Sequence, residues 1–208
     1  MELHRPLATI APTLDADVLA VLVRGDRAFT GREVARLVPE RSQRGIHNAL
    51  ARLVAQGVVT REHAGPAHQY RLNREHLCAP HIEAIVRIRT EFDRRVAELV
   101  DGWELPAELV ALFGSAARGE MHADSHLDVL VIGPTDDPTG RWDAQTEQLA
   151  RRIQSWTGND CRVLEMGPRE VRARITTDPL LATIKREGQV IYGSRTALTR
   201  LGAHRPAE

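Results

Sequence analysis

One stretch of this 208-residue chain, LFGSAARGEMHADSHLDVLVIG at positions 112–133, limits its fold more than any other. An apolar run, Leu109 to Phe113, stops at Gly114-Ser115, and a second apolar run, Leu127 to Ile132, follows. Both have the length and composition of buried strands. A glycine at the end of a strand lets the backbone come close to a ligand. Free amides there, with the Ser115 hydroxyl, can cradle a phosphate. Arg118 can add a charge-assisted contact. Asp128 falls at a strand edge beside that loop, where a carboxylate could hold a magnesium ion against a triphosphate.

The surrounding pattern extends the same architecture. Ala144 to Trp156 is amphipathic with helical spacing, and Thr157-Gly158-Asn159 ends it. Cys161 to Met166 reads as a third strand. Pro168 to Ile175 and Pro179 to Glu187 read as helices, the second stopping at Gly188. This alternation of strands and helices predicts an α/β (α+β) domain over residues 105–208.

The segment resembles the nucleotidyltransferases of the DNA polymerase beta type, especially their small bacterial members. Their pattern is Gly-Ser, then Arg-Gly, then Ser-Asp-x-Asp on the next strand. Gly114, Ser115, Arg118, Gly119, Glu120, Ser125 and Asp128 match it, and GQVIYG at 188–193 fits the element order. The resemblance implies a mixed-sheet nucleotidyltransferase-like domain. If the site is active, it also implies Mg2+ and a nucleoside triphosphate, with Asp128 as the catalytic metal ligand.

The chain departs from that pattern at the chemistry. His126 stands where the first aspartate of the pair belongs, and the third carboxylate is replaced by Arg162 or a neighbour on Cys161–Met166. Two-metal transfer needs several carboxylates to place its cations. A guanidinium does the reverse of a metal ligand and pairs with phosphate itself. Three readings stand open. His126 is a solvated remnant of a decayed site; or His126 and Arg162 bind a phosphorylated ligand without metal; or catalysis survives on Asp124, Asp128 and either Asp160 or Glu165. The nucleotide-binding candidates are therefore Gly114, Ser115, Arg118, His126, Asp128 and Arg162. EMHADSH at 120–126 also mixes histidines with acids, although loop histidines of this kind are usually only solvated.

The first 76 residues have a different rhythm. Asp15 to Val23 carries apolar residues at helical spacing until Gly25-Asp26. Thr30 followed by Glu33 is a capping-box pattern for a second helix, which stops before Pro39. Ser42 opens a third helix with Ile46, Ala49, Leu50, Leu53 and Val54 on one face and Gly57 at its end. Two strands follow, Val58 to Glu62 and His68 to Leu72, around a turn at Ala64-Gly65-Pro66-Ala67. From Arg41 to Arg74 six arginines face one acid, Glu62, a local charge of +5. Such a stripe is the expected footprint of phosphate neutralisation. Ser42, Gln43, Arg44, His47, Asn48 and Arg52 on or near the outer face of the third helix could reach base edges or phosphates. Arg61, His63 and His68 on the hairpin could reach the minor groove or backbone. The order of elements resembles the winged helix-turn-helix of bacterial transcription regulators, carried by FTGREVARLVPERSQRGIHNALARLVAQGVVTREHAGPAHQYRLN. That resemblance implies double-stranded DNA as partner. Between the two domains, residues 77–104 read as a linking helix, with a break expected at Ala79-Pro80.

Composition excludes several classes. Cys78 and Cys161 are the only cysteines and lack metal-ligand spacing, which argues against a disulfide framework or a structural zinc site. No apolar run approaches the length that spans a bilayer, and Met1 to Pro12 has no signal-peptide pattern, so no membrane partner and a cytoplasmic location are expected. With only eight aromatic residues, the cores must be aliphatic. Trp103, Trp142 and Trp156 are expected to pack in a core or an interface. The reading is a DNA-binding regulator, a homodimer, whose second domain senses a nucleotide or supports dimerisation with impaired catalysis. The alternative is an active metal-dependent nucleotidyltransferase whose winged helix holds a nucleic-acid or protein substrate.

Overall fold

The computed structural model describes residues 1–25, 27–38, 41–65 and 67–194. Asp26, Pro39 and Pro66 lie outside them, while the first two helices end as expected, with Gly25 and Val38 as their C-caps. The chain forms two compact units, Arg5–Arg89 and Met1–His4 together with the chain from Thr90 onward.

In the first unit a short 3-10 turn, Pro6–Thr9, precedes α1 (Leu14–Arg24), β1 (Phe29–Thr30), α2 (Gly31–Leu37) and α3 (Gln43–Ala55). A hairpin of β2 (Val59–Ala64) and β3 (Ala67–Leu72) follows, then α4 (Ala79–Val86). The strands form one antiparallel sheet in the order β1-β3-β2. The three helices and the hairpin follow in the order that the sequence pattern predicts. β1 is two residues long and pairs Phe29 with Tyr70 and Thr30 with Gln69, too short a strand to leave a periodic signal.

Local chemistry explains where these helices start. Thr30 Oγ1 accepts from the Glu33 amide, and Glu33 Oε2 accepts from the Thr30 amide at 2.7 Å, which closes the capping box. Ser42 Oγ accepts from the Gly45 amide at 3.1 Å and caps α3. Val18, Leu22, Val34, Ile46 and Leu50 are almost wholly buried in one aliphatic core. Each such side chain contributes about 1.5–3 kcal/mol relative to exposure.

The break expected at Ala79-Pro80 is instead a helix start, because proline is well placed in a first turn. The interruption falls at Arg87, between α4 and α5 (Ile88–Asp101).

The second unit contains β4 (Leu109–Phe113), α6 (Gly114–Arg118), β5 (Leu127–Ile132), α7 (Arg141–Thr157), β6 (Cys161–Met166), α8 (Pro168–Arg174), α9 (Pro179–Glu187) and β7 (Gln189–Gly193). The sheet order is β6-β5-β4-β7, with β5 and β6 parallel and the other pairs antiparallel. This is a mixed α+β domain with a nucleotidyltransferase-like sheet. Leu109, Ala111, Leu130, Ile132 and Met166 pack on one face with Val171 of α8, its C-cap Ile175, and Leu181 and Ile184 of α9. The other face meets α7, where Thr146 donates to Glu165 at 2.9 Å. α7 begins three residues earlier than its apolar pattern suggests. The Asp137 carboxylate accepts from the Arg141 and Trp142 amides and so nucleates that first turn. Trp142 is buried edge-on against Trp103, ring centroids 5.6 Å apart. Among the described residues no helix is long and apolar enough to cross a membrane.

Candidate functional site

The turn after β4 is shaped by two positions. Gly114 has φ +69°, and a Cβ there would lie 2.7 Å from Asp128 Oδ2. Glycine is required both for the left-handed backbone and for the carboxylate that closes over it. Across the strands Phe113 is opposite Asp128, so Asp128 sits directly beside the turn. Ser115 is half-buried, and its carbonyl accepts from the Gly119 and Glu120 amides.

Strand alternation then sorts the remaining candidates. Asp128 is the register partner of Arg162 in the parallel pair β5–β6, so both side chains leave the same face of the sheet. Arg162 Nη2 lies 3.0 Å from His126 Nε2. A guanidinium only donates, so Nε2 is the acceptor and the imidazole proton belongs on Nδ1. Nδ1 stands 3.8 Å from Asp160 Oδ2, and Asp160 Oδ1 accepts from Gln154 at 2.8 Å. His126 and Arg162 therefore meet, and Asp128 stands beside Arg162 in the ladder.

Other candidates do not join them. Glu165 leaves the opposite face and accepts from Thr146 of α7, so it cannot share an ion with Asp128. Arg118 donates to Glu120 Oε2 at 2.7 Å and lies 3.6 Å from Glu187 of α9. Asp124 is exposed on the loop before β5. The Cys161 thiol is pushed up to about 12, chiefly by burial and then by Asp128, so it stays protonated at neutral pH. Among the described residues no three His, Cys, Asp or Glu side chains form a group that could hold a metal ion. The donor set of the second unit thus does not fit the magnesium that the resemblance implies.

Asn159 was legible in sequence only as part of a helix stop. It is almost fully buried. Its amide donates to the carbonyls of Ala123 (3.1 Å) and Ser125 (2.9 Å), and its Oδ1 accepts from the Met1 nitrogen at 2.6 Å. It braces the loop that delivers His126 and Asp128. No periodicity or motif marks such a residue, because its partners are backbone groups distant in sequence.

In the first unit, Gln43, Arg44, His47, Asn48 and Arg52 are all exposed on α3, opposite its buried Ile46, Ala49, Leu50 and Leu53. Ser42 uses its hydroxyl as the cap. The arginine stripe is more compensated than its local charge suggests. Arg52 donates to Asp15 at 2.8 Å, Arg41 lies 3.8 Å from Asp17, and Arg74 lies 3.6 Å from Glu83. Arg44, Arg61 and Arg71 have no ion pair among the described residues. On the hairpin, His63 and His68 are register partners with ring centroids 4.2 Å apart. Burial first, then His63, Arg61 and His47, hold His68 below the ordinary histidine value. A cleft of about 880 Å³ runs beside them, lined among others by Arg27, Arg32, Arg36, His47 and His68.

Comparison with known proteins agrees with the second unit's geometry. Residues 85–160 match the family described as nucleotidyltransferase domain. A bifunctional uridylyltransferase/uridylyl-removing enzyme of Bordetella pertussis is 33% identical over 124 residues, which cover 56% of this chain and 13% of that protein. The chain thus spans 13% of the length of that curated relative. Among solved structures, a toxin-antitoxin with AMP-PNP overlays with TM-score 0.39 at 22% identity, covering 52% of this chain and 79% of the other. TrmBL2, an archaeal chromatin protein, overlays with TM-score 0.25 at 15% identity, covering 83% of this chain and 71% of the other. On the sheet order, the glycine-serine turn and the family match together, the second unit carries a nucleotidyltransferase fold.

Proposed function

We propose that this chain is a DNA-binding transcriptional regulator whose nucleotidyltransferase-fold unit senses a nucleotide rather than transferring one. Residues 1–76 would read double-stranded DNA, 77–104 would link, and 105–208 would hold the ligand, in a cytoplasmic homodimer. The observation that carries the DNA reading is the exposed outer face of α3. It presents Arg44, His47 and Asn48, and the hairpin that follows adds the exposed Arg61. Those side chains suit base edges and phosphates. Ligand binding alters DNA affinity only if the ligand binds two conformations of the protein unequally.

The test is fluorescence anisotropy with duplex DNA from upstream of the chain's own gene, titrated at several salt concentrations. Binding that weakens linearly with log salt supports the reading. No binding at low salt sinks it.

A second reading keeps catalysis. It is favoured by the family match over 85–160 and by the retained Gly114, Ser115 and Asp128. The acceptor would be a nucleic acid or protein held by the first unit. Transfer of labelled nucleoside triphosphate that disappears in Asp128→Ala would establish it. Silence of both proteins with Mg2+ and Mn2+ would remove it.

A further inference from the structure

In a metal-dependent transferase the face beside the glycine-serine turn carries carboxylates on adjacent strands, which together attract divalent cations. Here Asp128 has Arg162 as its register partner on the next strand. The cation is covalent. A guanidinium at that position repels a divalent ion and offers several N–H donors to phosphate oxygens. His126 accepts one of those donors at 3.0 Å, which orients the guanidinium and leaves its other N–H groups for a ligand. Arg118, the other candidate cation, is already engaged by Glu120 and Glu187. Glu165, the nearest alternative acid on β6, faces α7.

We propose that the second unit binds a phosphate-bearing ligand, a nucleoside polyphosphate, without a divalent cation, with Arg162 taking the place of the metal and His126 positioning it. This rests on the nucleotide-sensing reading and specifies how the ligand is held.

The experiment is isothermal calorimetry on the full chain with ATP, GTP and inorganic tripolyphosphate, each in excess EDTA and in excess Mg2+. The expected result is binding in EDTA with an affinity no weaker than in Mg2+. Arg162→Ala is expected to lose about ten- to a hundredfold, the range for a charged hydrogen-bonding group. Arg162→Asp restores a carboxylate beside Asp128. It should lose binding in EDTA and regain it only with Mg2+ or Mn2+. Arg162 is exposed, so both variants should keep the wild-type circular dichroism and melting temperature.

Binding by the wild type that requires Mg2+ overturns the inference and leaves nucleotide sensing standing. So does an Arg162→Ala variant that binds like the wild type. No binding of any of the three probes under either condition overturns both.

Discussion

Asp128 closes over Gly114 so tightly that a single added carbon on the glycine would stand 2.7 Å from the aspartate's Oδ2. The carboxylate packs over a backbone that no side chain could share. Gly114→Ala therefore meets a left-handed backbone and a clash together. It should destabilise the second unit by about 1–3 kcal/mol, read as a lower urea midpoint. In an Asp128→Ala background the clash disappears and only the backbone strain remains, so the cost of Gly114→Ala should fall. Equal costs in both backgrounds would show that the carboxylate does not crowd the turn.

Two arginines of α3 should behave differently on DNA. Arg44 is exposed and has no ion pair among the described residues, whereas Arg52 is held by Asp15 at 2.8 Å. Arg44→Ala should weaken binding and lower the slope of log affinity against log salt by about 0.9, the value for one phosphate contact. Arg52→Ala should change the slope by less, because its charge is already compensated. A larger slope change for Arg52 than for Arg44 would contradict this arrangement.

Asn159 offers a test of the brace under the loop. Asn159→Ala leaves the carbonyls of Ala123 and Ser125 without their donor. Both hydrogen bonds are partly buried, so their loss costs about 0.5–1.5 kcal/mol each. The expected outcome is a clear fall in melting temperature together with weaker nucleotide binding. Unchanged melting would mean that the loop finds other donors.

Acid should loosen the first unit. His68 lies below the ordinary histidine value of 6.5, so the unfolded chain binds more protons than the folded one in the interval beneath 6.5. Its contribution is present in full above 6.5 and is lost as pH falls through the folded value. Thermal melts from neutral to mildly acidic pH should show the loss, and His68→Gln should flatten that slope. A slope unchanged in the variant would assign the effect to other groups.

Much of this was legible in the residues. The capping box at Thr30 and Glu33, the cap at Ser42 and the strands at 109–113, 127–132 and 161–166 all rest on local chemistry or period, and the structure has them. Less legible were features fixed by partners far away in sequence. β1 exists only through its pairing with Tyr70 and Gln69. The ion pairs of Arg41, Arg52 and Arg74 draw on acids outside the window that made the stripe look so basic. Arg162 and Glu165 could be assigned to faces only once the parallel register was known, because a slip of one residue exchanges them.

The turn that carries Gly114 and Ser115 is fastened by residues much later in the sequence. Gln189 of β7 donates to the carbonyl of Ala117, 72 residues away, and Glu187 lies against Arg118. During synthesis, at roughly 5–20 residues per second, these fastenings are missing until β7 emerges. The first unit closes its hairpin over neighbouring residues and needs no such wait. A nascent chain should therefore show protease resistance across its first unit while the loop at 114–118 is still open to cleavage, and acquire protection there last.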